Sequence, residues 1–528
     1  MSSASGTATP GAGAAAAPAP LAGAALGITA IALALGTFMQ VLDSTIANVS
    51  VPTIAGNLGV STSQGTWVIT SFAVSNGISV PLTGWLMGRY GVVKVFVVSV
   101  VLFTIASFLC GISWNLDSLI LFRVLQGAVS GPMIPGSQAL LMMIFPPNKR
   151  GTALAIWSMT TLVAPICGPI LGGWISDNMS WPWIFFINLP VGAICALLCW
   201  RNLNDRETST FARSIDRTGF ALLVVWVGAL QIMLDTGKDV DWFASPVIVV
   251  ETVIAIVGFI AWVIWELNDK NPMVDLSLFK TRNFALGVLA LCVGYAIFFG
   301  NNLLMPLWLQ TQMGYIATWA GLVAAPSGVV AVIMTPFAAR LLNRYDARIL
   351  ATVSMIFFAA SFYMRSLYTP DASFFVLMSP MLVMGVAMSF FFISMVSISL
   401  NGVPPHQVPA ASGLSNFARI VAGSFAASLA TTFWDDMESV LQTRNTEVMG
   451  GAGGGSTAVQ QMLYQVTHLG FSQEQGVGLL ARQVASQAYL SAALDIFRLS
   501  AIVTLLLIPF IWLCKPTYAT GAVHAAAD

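Results

Sequence analysis

Long apolar runs joined by short polar segments dominate the chain. A helix needs roughly 20 apolar residues to cross a hydrocarbon core. Fourteen stretches meet that length, at 27–49, 65–87, 94–113, 117–143, 152–175, 183–200, 217–234, 243–265, 284–310, 318–341, 348–368, 374–399, 409–434 and 497–515. The pattern predicts an all-α integral membrane fold with fourteen transmembrane helices, and an even number puts both termini on one side. Lys and Arg sort unevenly about these spans. With the N-terminus inside, fifteen of the 22 fall in inside loops and five outside, while Arg123 and Arg419 lie within spans. Basic residues concentrate on cytoplasmic loops, so both termini are expected in the cytoplasm.

One joint is out of scale with the rest. Residues 435–496 form a polar segment between spans 13 and 14, with GGAGGG at 450–455 and then VQQMLYQVTHLGF, which has helical character. It is expected outside the membrane, and loops of this length are either functional or disordered. An ordered, partner-facing hairpin and an unstructured loop both remain open. Residues 1–26 are an uncharged Ala/Gly/Pro/Ser stretch without the basic region of a secretory signal, read as a disordered cytoplasmic tail. Residues 516–528 form a second tail.

Pro81 aligned with Pro336, an offset of 255, lays PLTGWLMGRYGVV over PFAARLLNRYDAR without a gap, with Arg89-Tyr90 over Arg344-Tyr345. Both copies follow an apolar span and precede a basic loop. Two homologous bundles are implied, an N-terminal six-helix bundle at 27–200 and a C-terminal one at 271–515, with two inserted helices in 201–270.

Composition narrows the function classes. Charged residues make up 8% of 528 residues and hydrophobic ones 57%, so most of the chain is solvated by lipid rather than water, and a formal net charge of +0 offers nothing to nucleic acid. The six cysteines lie in or beside apolar runs and the three histidines are scattered, which argues against disulfides and a metal site. No Gly-x4-Gly-Lys-Ser/Thr loop occurs. The chain is expected not to be an enzyme and to need no cofactor, with an ion gradient as its energy source.

Chemistry is sought in the few polar groups inside spans. Asp43 sits in LDSTIANVSVP of span 1, Arg123 and Gln126 in LFRVLQGAVSG of span 4. Counted from the span ends, Asp43 and Arg123 lie at the same depth, roughly 9 Å below the outer surface at ~1.5 Å per residue. They are expected to meet. A carboxylate in a site whose hydration changes between states can load and release a proton, so the three residues are candidates for proton coupling; a permanent ion pair fixing helix packing is the alternative. In span 5, APICGPILGGW holds Gly168, Gly172 and Gly173, which permit close helix approach, and Pro165 and Pro169, which bend the helix. In GWLMGRYGVVK, between spans 2 and 3, Gly84 and Gly91 accompany Arg89 and Lys94, which by charge alone are topology anchors. Asn48, Gln138, Asn301, Asn302 and Asn416 are candidates to line a central cavity, with Met133, Met159, Phe298, Phe299, Phe390, Phe391 and Phe392 as an adaptable apolar wall; ordinary helix packing is the alternative for each. Arg419 needs a partner, either backbone carbonyls or a substrate anion. Glu251, in an inserted span, is left outside the mechanism.

These strings resemble a known family. GWLMGRYGVVK is similar to the signature cytoplasmic loop of the major facilitator superfamily, which implies a tight turn at Gly84 and Gly91 and a gate latch at Arg89 and Lys94, with Gly88 at the family's acidic position and Val92 at one of its basic ones. Gly168-Pro169-x-x-Gly172-Gly173 resembles the motif associated with drug:proton antiporters. WPWIFFINLPVG (181–192), LQIMLDTGKDVDWF (230–243), ASGLSNFARIVAGS (411–424) and SQAYLSAALDIF (486–497) look like the 14-span drug:proton antiporter family, and its EmrB-type members in particular. The resemblance implies two six-helix bundles rocking about a central site. It also implies export of hydrophobic or amphipathic drugs driven by protons, and a place in a bacterial inner membrane. The partners it implies are a periplasmic membrane-fusion adaptor of the EmrA type and an outer-membrane TolC-like channel. A dedicated exporter of one metabolite, such as a fatty acid or siderophore, is the alternative within this class.

Overall fold

A computed structural model describes residues 21–517 apart from 61, 66, 147–148, 211–215, 270–271, 316, 405–406, 451–460, 462–463, 465–467 and 469–471. Among the described residues the chain is helical, with no strand. α1 spans Gly23–Leu58; α2, Trp67–Ser79, runs through one 3-10 turn at Val80–Leu82 into α3, Thr83–Tyr90. α4 spans Val92–Gly111, and α5, Leu116–Ser130, is followed closely by α6, Met133–Ile144. α7 covers Arg150–Asn178 and α8 Asn188–Leu203. α9, Arg217–Thr236, and α10, Pro246–Asn268, form the inserted pair. The second bundle holds α11, Arg282–Thr311, α12, Ala317–Leu342, α13, Ala347–Arg365, α14, Phe374–Leu400, α15, Val408–Gly450, and α16, Gln473–Trp512.

Taking α2 with α3 and α5 with α6, these helices make fourteen successive rods that coincide in order with the fourteen expected spans. Eleven of the rods are long and apolar enough by themselves to cross a membrane. The other three contain α2 with α3, α7 and α15.

The internal repeat is visible in helix capping. Gly91 is the N-cap of α4 and Asp346, its counterpart at the offset of 255, is the N-cap of α13. Gly91 has φ +92°, a conformation glycine adopts without strain, so the tight turn expected there is present. Gly84 plays a different part from the one expected. It lies inside α3, where a Cβ would come within 2.7 Å of Ala410 Cβ and 2.9 Å of Ala410 Cα, so its missing side chain lets the two bundles touch.

Further close approaches lie at the same ends of the rods, near Arg89, Lys149 and Arg344. A Cβ on Gly413 would lie 3.2 Å from Thr83 Cβ, and one on Gly151 would lie 2.7 Å from Asn343 Oδ1 and 3.2 Å from the Ala339 carbonyl. Asn416 Nδ2 donates to Gln138 Oε1 across the same seam at 3.2 Å. This is the side whose loops carry most of the basic residues, and here the bundles are closed on one another. The inserted pair leans on the seam: the Trp226 ring of α9 is 5.8 Å from that of Phe417 in α15, and Ser428 of α15 donates to the Leu234 carbonyl at 3.0 Å. α10 faces outward, with 17% of its apolar window buried, which fits a lipid-facing helix.

For the segment 435–496 an ordered hairpin and an unstructured loop are both open in the sequence. It is mostly helix rather than loop, since α15 runs on to Gly450 and α16 starts at Gln473 behind a capping box formed by Ser472 and Gln475. The two helices have 43 and 40 residues, about 60 Å each at ~1.5 Å per residue, twice the ~30 Å hydrocarbon core. Their outer parts are packed together: Trp434 Nε1 donates to the Tyr489 carbonyl at 2.9 Å, and the two rings lie 4.9 Å apart. Residues 451–455 of GGAGGG and most of VQQMLYQVTHLGF lie outside the described residues, as do residues 1–20 and 518–528 of the two tails.

Candidate functional site

Asp43 sits halfway along α1 and is 1% exposed, while Arg123 of α5 is fully buried. The two expected to meet do meet: Arg123 Nη1 lies 2.6 Å from Asp43 Oδ2. Gln126 is three residues beyond Arg123 and therefore on the same helix face. Its Nε2 donates to Asp43 Oδ1 at 3.0 Å, while its Oε1 accepts from Arg123 Nη1 at 2.8 Å. The first bundle adds groups the sequence reading missed. Asn188 of α8 donates to Asp43 Oδ1 at 2.8 Å, and Ser107 of α4 accepts from Asn188 at 2.8 Å and from Gln126 at 3.0 Å. Arg123 Nε donates to the Val68 carbonyl at 3.0 Å, and the guanidinium lies 4.3 Å from the Phe72 ring centroid. Asn188 lay inside the string FFINLP, where a single Asn in an apolar run carried no mark of its position.

The arrangement has a definite chemical character. Every side chain bonded to the Asp43 oxygens is an N–H donor, so the site is built for the carboxylate. A proton on Oδ1 would meet two donors instead of an acceptor, since Gln126 and Asn188 both donate there, and accommodating it would need a rearrangement. Gln126 has the means, because exchanging its amide ends turns Oε1 toward Asp43 and withdraws it from Arg123.

The glycine-proline segment of α7 packs at this level of α1, which it contacts more extensively than any other helix. A Cβ on Gly168 would overlap Thr45 Oγ1, and one on Gly172 would lie 2.9 Å from the Ile46 carbonyl; Thr45 and Ile46 follow Asp43 within one turn. Gly173 differs from expectation, since a Cβ there meets nothing within 4 Å. Pro165 is half-buried in the same helix, and the side chain of Pro169 lies outside the described residues. α7 is also the helix of the first bundle that packs most extensively on the second, through α12.

At the loop between α3 and α4 a carboxylate arrives from elsewhere in the chain. Glu207, beyond α8, accepts from the backbone N–H groups of Val93 at 3.0 Å and Lys94 at 2.9 Å, capping α4. A Cβ on Gly91 would overlap that carboxylate, whereas one on Gly88 meets nothing within 4 Å. In the second bundle Asp346 does the same work from its own N-cap, accepting from the N–H of Arg348 and of Thr517, beyond α16. Arg89 lies over the rings of Trp85 and Tyr90, at 5.7 and 5.6 Å, and Lys94 is exposed.

The expected cavity residues separate into two groups. Gln138 and Asn416 join the bundles at the seam, and the Asn416 Oδ1 accepts from Arg419 at 3.0 Å. Phe298 and Asn301 belong to the second bundle's own packing. The Phe298 ring lies 6.0 Å from Phe358 and 6.5 Å from Phe392, and Asn301 donates to Ser500 Oγ of α16 at 2.8 Å. Phe390, Phe391 and Phe392 and Met133 are buried. Met159 is 36% exposed, Asn302 and Phe299 are half-buried, and the Asn48 side chain lies outside the described residues.

The family model described as Major Facilitator Superfamily matches residues 33–427. The chain is 50% identical to the multidrug export protein EmrB of Escherichia coli strain K12, over 94% of this chain and 96% of that one. It is 49% identical to the protein of the same description in Haemophilus influenzae, over 93% and 96%. It is 45% identical to the fatty acid resistance protein FarB of Neisseria gonorrhoeae, over 94% and 97%. Among solved structures, the human organic anion transporter MFSD10 aligns with a TM-score of 0.55 at 14% identity, over 92% of this chain and 99% of that one, a likeness of fold.

Proposed function

Since the chain belongs to the Major Facilitator Superfamily, in the group of the EmrB multidrug export proteins, we propose that it exports hydrophobic and amphipathic toxic compounds by proton antiport. Asp43 is the proton carrier in this reading. The observation that carries it is the buried carboxylate with donors on both oxygens. In the state closed toward the cytoplasm, a proton reaching Asp43 from outside breaks the pair with Arg123 and turns Gln126. The change passes through Thr45 and Ile46 to the glycines of α7, and from α7 to α12 across the seam. The bundles then rock, the proton leaves inward, and substrate enters the opened cavity from the cytoplasm or inner leaflet.

Both termini lie in the cytoplasm of a bacterial cell, and α15 and α16 project into the periplasm as a helical hairpin. That hairpin is the contact for a membrane-fusion adaptor of the EmrA type, which leads to a TolC-like channel in the outer membrane. Removing residues 440–490 abolishes adaptor capture in detergent if this holds, and equal recovery would end the partner role. A narrower exporter of fatty acids is a second reading, favoured by the relative named for fatty acid resistance.

The test of coupling is drug efflux in everted vesicles. Asp43→Asn is expected to abolish uptake driven by a pH gradient while substrate exchange without a gradient continues. Leaving Arg123 buried and unpaired costs about 3–5 kcal/mol, so the paired Asp43→Asn and Arg123→Gln variant supplies the same readout in a charge-neutral site. Gradient-driven uptake that survives in the paired variant would remove Asp43 from the mechanism.

A further inference from the structure

Arg419, like Arg123, lies deep within a span, and its surroundings differ from those of Arg123. It lies eleven residues into α15, about 16 Å at ~1.5 Å per residue, near the middle of a ~30 Å hydrocarbon core. It is 7% exposed. Its Nη2 donates to Asn416 Oδ1 at 3.0 Å, and its guanidinium lies 4.7 Å from the Tyr295 ring centroid. Among the described residues the three ion pairs use Asp43, Asp346 and Asp495, and none reaches Arg419. A cation at this depth is costly unless something neutralises it.

Two further features point to what does. Gln138, 1% exposed, accepts from Asn416 through Oε1 but leaves its Nε2 without a partner, so a second buried donor belongs to the same cluster. Beside the guanidinium lies an aromatic wall, in which Tyr295 stacks on Phe299 at 5.6 Å and both rings are half-buried. Gly423, one turn beyond Arg419, leaves room for this wall, since a Cβ there would lie 3.0 Å from the Tyr295 ring. Cationic and N–H donors next to a half-open aromatic surface match a carboxylate on an apolar body.

We propose that Arg419 holds the head of an anionic amphiphile, a carboxylate, with its hydrocarbon against Tyr295 and Phe299. The proposal rests on the export reading and names a substrate class for it. An anion that engages Arg419 competes with Asn416 for the guanidinium, and Asn416 is bonded to Gln138 in the other bundle. Occupancy therefore acts on a contact that closes the cytoplasmic side.

The test compares dodecanoate with dodecyltrimethylammonium, ligands with the same tail and opposite charge, binding to the full chain in lipid nanodiscs. Arg419→Gln is expected to shift the ratio of the two affinities against dodecanoate by about tenfold or more. Asn416→Asp sets a carboxylate beside an intact Arg419 and is expected to shift the ratio the same way, which covers the case in which Arg419→Gln fails to fold. An unchanged ratio in a folded variant overturns the proposal. Gradient-driven transport by the wild-type chain separates the two failures. If either ligand is transported and the ratio does not move, the anion site alone is wrong; if neither is transported or bound, the export reading and the proposal fall together.

Discussion

Replacing Gly84 with alanine introduces a methyl group at the contact between α3 and α15. That carbon would lie 2.7 Å from Ala410 Cβ and 2.9 Å from Ala410 Cα, whereas carbon atoms in contact rest ~3.5–4.0 Å apart. The overlap is therefore about 1 Å. One of the opposing atoms is backbone and cannot swing aside, so the cost of overpacking applies, about 1–3 kcal/mol. Because the contact joins the two bundles, their separation at this end relieves it without unfolding. The penalty falls on the closed state alone and shifts its population by roughly 5–150-fold. Alanine's better helix propensity acts on both states and cancels. Spin labels at Lys149→Cys and Tyr345→Cys, both exposed and on opposite bundles, report the change by pulsed dipolar spectroscopy in a background without native cysteines. Gly84→Ala is expected to move the distance distribution to longer values, while Gly88→Ala, with nothing within 4 Å of its Cβ, leaves it unchanged. Identical distributions for the two variants would refute the reasoning that Gly84 closes the seam.

Gly168→Ala forces a carbon onto Thr45 and is expected to lower thermal stability by about 1–3 kcal/mol and to impair antiport, whereas Gly173→Ala, facing open space, leaves both intact; equal melting of the two would separate the motif from its packing role. Glu207→Gln removes a charge from the N-terminus of α4 and is expected to cost about 1 kcal/mol, with Glu207→Ala costing more, as read by thermal unfolding in detergent. No loss in either variant would show that the cap at Val93 and Lys94 contributes nothing.

The spans were legible because lipid imposes a length and a polarity on them, and the pairing of Asp43 with Arg123 was legible because depth can be counted along a helix. Gln126 was legible only as a polar group in the same span as Arg123. Asn188 and Ser107 were not, since a neutral polar side chain in an apolar run looks the same whether it faces a carboxylate or a neighbouring backbone. Glu207 was hidden for another reason. It reaches Gly91 across 116 positions of chain, and only the packing of α8 against α4 brings it there. The segment 435–496 stayed undecided between hairpin and loop because apolar length reports a membrane, not a helix. Outside lipid, α15 and α16 continue on paired side chains such as Trp434 and Tyr489. Phe298 and Asn301 carried the right chemistry for a cavity, but the face a helix turns toward its own bundle is set by all its neighbours together.

Proton release on binding tests the central claim most directly. Substrate is added to purified protein in a weakly buffered solution, and the protons set free are measured for the wild-type chain and for the paired Asp43→Asn and Arg123→Gln variant. If Asp43 carries the coupled proton, substrate binding releases protons from the wild-type chain and none from the paired variant that still binds. Equal release from both would contradict the account and place the coupled proton elsewhere.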